Sequence, residues 1–506
     1  MANVHGIFVD ESATALSAPQ ETSAGVLVIV GTAPVNMAKD PSAVVNTPVL
    51  ANSAEEAMEA LGYLPDFGNY SLCQSMFVGA NLYPTKPAVY INVLDPATHK
   101  TTLSAQTVSV SEMQATVPVT GIIKDNLSVS IPASGGGSAT SLTQGTDYTL
   151  SFDGAGYLVI TLIAGGAGAA AQTLSVSGYK LNPSAVTKTD IIGTVNASTG
   201  EESGAECIRQ IAPKFGIIPG IIIAPGWSQE PEVGAALCAK AATINGVYKA
   251  VAFLDLPTGA SGARKYTDCK TVKETCGYTS KYSYVLWPCV KVGTSILAYS
   301  AVAAARAAYL DTENEDVPYA SPSNKTLAIS GTCLADGTEV NLDQDQATTV
   351  NEYGVATAVN INGFRIWGNY TGAYPSSSDA KDIWLAVRRM FNWQGNNFIQ
   401  TYFSRVDDPM NFRLIEDIVT SENIRLSAYV PEYIAGAKIE YRKEDNPATS
   451  ILAGRIKFRQ HFAPYTPAQT IENILDYDIA ALQAALTGGE EDGKYWKYGS
   501  GALQQL

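Results

Sequence analysis

The sequence predicts an α/β core on a mostly parallel sheet, an inserted antiparallel β domain, an α+β C-terminal domain, and an extended arm at each end. Three observations carry this prediction. Short, uniformly apolar runs alternate with helical segments before residue 104 and again after 192, which is the pattern of parallel strands covered on both faces. Between them the period changes to two: Leu127, Val129 and Ile131 alternate with Ser128 and Ser130, and Leu174 and Val176 with Ser175 and Ser177. After Gln346 helical periodicity returns beside a late strand pattern. The expected divisions are 1–24 (arm), 25–104 and 192–345 (the two parts of the core), 105–191 (inserted β domain), 346–487 (C-terminal domain) and 488–506 (tail).

Taken in order, residues 4–12 read as an apolar, strand-forming arm with no obvious partner in its own domain, and so as a candidate for pairing with another copy. Residues 25–94 read strand, helix, helix, strand. Ser53 and Glu56 form a capping box for a helix toward Leu61, and residues 88–94 are too apolar to leave one face wet. In the β segment, 148–152 and 157–162 flank Asp153-Gly154-Ala155-Gly156, a hairpin turn, and the glycine runs at 135 and 165 read as loops. The core resumes with strands near 217–224, 247–254 and 282–287 and helices near 231–244, 263–276 and 296–310.

In the last part a helix over 379–391 is expected to put Ile383, Trp384, Val387, Met390 and Phe391 on one face and Lys381 and Arg388 on another. A helix over 411–427 and a strand over 455–462 follow. Thr466, Pro467 and Gln469 then signal the start of a final helix, striped by Ile471, Ile474, Leu475, Ile479, Leu482 and Leu486.

Bulk properties restrict the function. The 506 residues exceed the usual size of a single core, and 46% hydrophobic with 16% charged residues excludes general disorder. A net charge of −15 argues against a direct grip on nucleic acid. Seven scattered cysteines without Cys-x-x-Cys indicate neither a disulfide framework nor a zinc site, so buried free thiols are expected. No cofactor is expected, since no phosphate-cradling Gly-Lys-Ser/Thr segment occurs, and Asp311, Glu313, Glu315 and Asp316 lack the spacing of a calcium loop. No signal peptide or membrane span is read, so insertion into a membrane is not expected, and that also weighs against a surface adhesin.

The sharpest enzymatic pattern is Gly293-Thr294-Ser295, which resembles the turn carrying the nucleophile of subtilisin-like proteases. With only His5, His99 and His461 available, and no acidic residue ahead of His5, a charge-oriented imidazole is not in the pattern. Thr294 and Ser295 are therefore expected to cap the following helix, and the chain is not expected to be an enzyme.

A second resemblance runs along the whole chain. The arm, the strand and turn at Val30 to Pro34, Ile221-Ile222-Ile223-Ala224-Pro225-Gly226, Phe253-Leu254-Asp255-Leu256-Pro257, Arg365-Ile366-Trp367-Gly368-Asn369-Tyr370-Thr371 and Val387-Arg388-Arg389-Met390 keep the order found in contractile-tail sheath proteins. One departure is Tyr370, where that family often has arginine; the acidic Gly-rich tail from Gly488 has no counterpart. The resemblance implies subtilisin-like layering without the active site. It implies hexameric rings of this chain polymerised around an inner tail tube protein, with baseplate and tail terminator proteins as further partners. Contraction of that polymer would drive the tube through a target envelope. Assembly in a bacterial host cytoplasm, into a virion tail or an extracellular contractile particle, is implied too. Strand exchange is then expected at Val4, Ile7, Phe8 and Val9 and, in the C-terminal part, at Ile456, Phe458 and Phe462. Tube or neighbour contacts are expected at Lys381, Arg388 and Arg389. The β domain is expected to decorate the outer surface. The alternatives are the sheath of a secretion-type injection system and, remotely, a subtilase-like hydrolase.

Overall fold

A computed structural model describes residues 24–84, 87–133 and 138–486. The chain divides into two units, 1–467 and 468–506.

The first unit is centred on a six-stranded sheet in the spatial order Ser283–Leu286, Val251–Asp255, Ile221–Ile223, Leu27–Gly31, Ala88–Asn92, Pro48–Ala51. The first five run parallel and Pro48–Ala51 closes the edge antiparallel. Every residue of those five strands is buried, as their uniformly apolar runs require. The Leu72–Asn81 and Tyr299–Glu313 helices form one covering layer, and Pro231–Ala242 with the 3-10 turn Gly204–Gln210 forms another. Alanines line the Tyr299–Glu313 helix, and they let the backbone at Gly25 come so near that a Cβ there would stand 3.2 Å from the Ala308 carbonyl oxygen. At the Ala54–Leu61 helix the expected cap is present: the Glu56 amide donates to Ser53 Oγ at 3.2 Å, and Glu56 reaches back to the Asn52 amide at 2.7 Å.

Seven strands between Lys100 and Leu181 form two small antiparallel sheets around a core of their own, including Leu103, Val117, Val129, Ile160, Leu174 and Val176. The Tyr148–Phe152 and Tyr157–Leu162 hairpin turns at Asp153, whose carboxylate accepts from the Ala155 and Tyr157 amides.

Residues from Gln344 to Leu385 add to the main core through Val350, Val355, Ala356, Ile366 and Leu385, so no change of core occurs at 346. Ala356 extends the sheet edge by exchanging hydrogen bonds with Val285 and Trp287. A further layer follows: helices Leu385–Tyr402 and Phe412–Ser427, then the antiparallel hairpin of Ile434–Tyr441 and Phe458–Pro464.

Three expectations about helices need correction. Ser295 and Ile296 lie in the strand Ser295–Leu297, and the next helix begins at Tyr299. Its first turn is capped from other elements, because Gln74 accepts the Ala298 amide and Asp255 the Ser300 amide, so no local hydroxyl is needed. The helix expected over 379–391 is two helices, Ala380–Ile383 and Leu385–Tyr402, separated by an extended Trp384. That indole stacks on Tyr370 at 4.9 Å, and Tyr370 stacks on Tyr374 at 3.8 Å, a tertiary contact that removes Trp384 from the helical path. Among the described residues of the second unit only Ile479–Leu486 is helical, and Thr466 begins no helix. Ile471, Ile474 and Leu475 are each more than 80% exposed, and a short apolar helix with nothing to pack on has little to hold it.

Candidate functional site

Among the described residues Ser295 has no hydrogen bond to an imidazole. Ser295 sits in a strand paired with Cys289–Val292. His99 Nδ1 accepts from the Asp95 amide at 3.0 Å and its Nε2 lies 3.8 Å from Asp190, while His461 lies 3.4 Å from Glu440. His5 falls outside the described residues. The serine and carboxylate cluster that does form is Ser228, Asp255 and Ser300, at the end of the parallel strands where α/β sheets often bind ligands. All three residues are buried. Asp255 accepts from the Ser300 amide at 2.7 Å, from Ser300 Oγ at 2.5 Å and from Ser228 Oγ at 3.1 Å. Burial pushes its pKa up to about 6 against these lowering bonds. Beside it, Gln74 donates to the Phe67 carbonyl and accepts from Ala298, so the crevice is filled by side chains that tie helix ends to strands.

The three charges expected to contact the tube or a neighbour separate. Lys381 is exposed and pairs with Asp379. Arg388 and Arg389 turn inward, because the break at Trp384 re-phases the helix that carries them. The Arg388 guanidinium meets Asp382 at 3.1 Å and lies over the rings of Tyr282 and Phe391. Arg389 is 3% exposed and donates to Asp311 and to the Ala24 carbonyl. In the folded chain these two arginines are internal ties, not surface contacts.

Among the sheets with edge strands is the two-stranded C-terminal hairpin, whose two edges differ. On the outer edge of Ile434–Tyr441, the Asn423 side chain accepts the Ile439 amide at 2.9 Å and donates to the Ile439 carbonyl at 3.0 Å. Asn423 thus occupies that edge at Ile439. Both Ile439 groups point away from the partner strand, and directly opposed residues of an antiparallel ladder either both face each other or both face away. Gln460, opposite Ile439, therefore turns its amide and carbonyl outward, as do Phe458 and Phe462 two residues on either side. Among the described residues no strand lies on that second edge. Ile456 is half-buried just before the strand. Val4, Ile7, Phe8 and Val9 fall outside the described residues.

The strand is held from behind. Gln460 donates to Glu422 at 3.2 Å, and Glu422, fully buried, also receives Arg425 at 2.7 Å and Gln394 at 2.7 Å. This network joins both helices to the hairpin and fixes the register of Phe458–Pro464. Sequence reasoning missed it and missed Asn423: no short spacing links Gln394 or Gln460 to the Glu422–Arg425 pair, and an asparagine inside a helix is only a faint sign of a tertiary bond.

No protein-family model matches the chain. It is 24% identical over 482 residues to the tail sheath protein of Burkholderia phage BcepMu, covering 92% of this chain and 95% of that one. It is 26% identical over 312 residues to the tail sheath protein of Escherichia phage P2, covering 59% and 74%. Among solved structures, the sheath complex of an extracellular contractile injection system (PVC) in its contracted state aligns with a TM-score of 0.55 at 13% identity, covering 95% of this chain and 99% of that one. The contracted helical sheath of the anti-feeding prophage (AFP) aligns with the same score and identity, covering 94% and 100%. At such identity the structural likeness speaks to the fold.

Proposed function

We propose, from a resemblance to contractile-tail sheath proteins that spans nearly the whole chain, that this protein is a structural sheath subunit that polymerises by exchanging strands. The observation that carries the strand-exchange step is the unequal hairpin: one edge is occupied at Ile439 by Asn423, and the other offers the outward backbone of Phe458, Gln460 and Phe462. A strand from a neighbouring copy adds there, supplied by residues around Val4, Ile7, Phe8 and Val9, and main-chain bonds and connectivity come from one contact. Because the contact is head-to-tail, it builds an open helical polymer, closed only around each hexameric ring.

The order of parallel strands supports subtilisin-like layering without the active site. The rings surround an inner tube, with baseplate and terminator proteins at the ends, and the 105–191 β segment decorates the outside. Contraction draws on conformational free energy stored in the extended polymer: rigid bodies repack while exchanged strands keep them linked. Lys381, exposed and bound only to its own helix turn, remains available for contact with the tube or a neighbour. Assembly takes place in the bacterial host before the particle acts outside it.

Negative-stain electron microscopy of the purified chain, alone and with its tube protein, tests this reading. Hollow striated cylinders or sheathed tubes are expected. Monomers under both conditions would overturn it.

A further inference from the structure

Ala24 is the first described residue, and it is held firmly. Its carbonyl accepts from Arg389 Nη2 at 3.2 Å, and the same guanidinium is fixed by Asp311, with one bond of 3.0 Å. The side chains of this pair are 2% and 1% exposed. Across the backbone, a Cβ on Gly220 would stand 1.9 Å from the Ala24 carbonyl oxygen, so the chain is threaded through a slot that only glycine leaves open. The Gly220 amide donates to Val26 at 3.0 Å on the same side.

The Ala24 side chain belongs to a compact cluster with Val317, Met390, Trp393, Tyr429, Tyr433 and Ile434. Ile434 is the first residue of the hairpin strand that pairs with Phe458–Pro464, and Phe462 packs against the same cluster. One small core therefore holds the root of the N-terminal segment and the root of the sheet whose edge is open. Close-packed interiors transmit displacement instead of absorbing it, and a buried guanidinium cannot leave its carboxylate without stranding a charge.

We propose that this seam couples the two ends of the strand-exchange system within each subunit: what loosens or pulls the segment at Ala24 also shifts the hairpin at Ile434, with Arg389 as the positioning residue. The proposal rests on the sheath reading for its use. In a polymer, a strand given to one neighbour and a strand received from another would then load the same few side chains, so the connection between successive subunits stays stiff while the bodies repack.

Hydrogen exchange of the full-length, unassembled chain tests the coupling without any polymer. In Arg389→Met the amides of residues 24–31 and 434–441 should exchange faster together, by about tenfold or more, while those of 251–255 are unchanged. Arg389→Lys, which keeps the charge beside Asp311, should restore part of the protection at both places. Should Arg389→Met fail to fold, Val317→Ala thins the same cluster from a third segment without stranding a charge, and the paired response is expected again. Faster exchange at only one of the two segments overturns the coupling. Microscopy of the wild-type chain is read separately: paired exchange without polymers leaves the coupling standing and removes the sheath reading, and polymers with unpaired exchange do the reverse.

Discussion

Asp255 illustrates how a residue that resembles part of a catalytic cluster serves a structural end. Its carboxylate satisfies one helix amide and two serine hydroxyls in a fully buried place, and burial raises its pKa to about 6. A carboxyl with a raised folded-state pKa binds its proton more tightly in the native chain than in the unfolded one. Its contribution is fully present below the unfolded value of 3.8 and is lost as pH rises through about 6. Asp255→Asn keeps an acceptor for the Ser300 amide and donors that the hydroxyls can accept. The stability difference between variant and parent, from urea melts across pH 4 to 7, should therefore move in the variant's favour with rising pH, by up to roughly 2–3 kcal/mol. A difference independent of pH would contradict this assignment. Asp255→Ala should be destabilising throughout, at about 1–3 kcal/mol for each buried donor left without an acceptor.

At the scale of elements, what the sequence makes legible depends on how local the physics is. The parallel strands could be read because each is a short run with no polar face, and the Asp153 turn because its residues bond to one another. The start of the Tyr299–Glu313 helix could not, since its caps, Gln74 and Asp255, come from elsewhere in the chain. The inward turn of Arg388 is not legible for the same reason: a stack between Trp384 and Tyr370 breaks the helix, and no periodicity shows that contact. The hairpin strand was legible as a strand, but not which of its edges is open, because that turns on Asn423. The edge supplies a direct prediction. Phe458 opens its strand and turns its amide outward, and proline is tolerated at such a position while it removes the donor an added strand would use. Phe458→Pro should keep the monomer's circular dichroism and melting cooperativity yet fail to form cylinders. Normal cylinders from this variant would move strand addition to another edge.

Across the whole molecule, stability and assembly are expected to separate. The buried sheet, its helices and the seam at Ala24 all lie within residues 24–467, whereas the second unit exposes Ile471, Ile474, Leu475 and Leu486 by more than three quarters each. Residues 1–15 end well before the Arg389 anchor, and their removal leaves every described contact in place. The truncated chain should unfold at the parent's temperature, and in sedimentation it should stay a monomer at concentrations where the parent forms cylinders. Were it instead to unfold early, those residues would be part of the subunit's own fold; were it to polymerise normally, they would not be the exchanged strand. A stable monomer that cannot assemble is the outcome expected if residues 1–15 are the strand given to a neighbour.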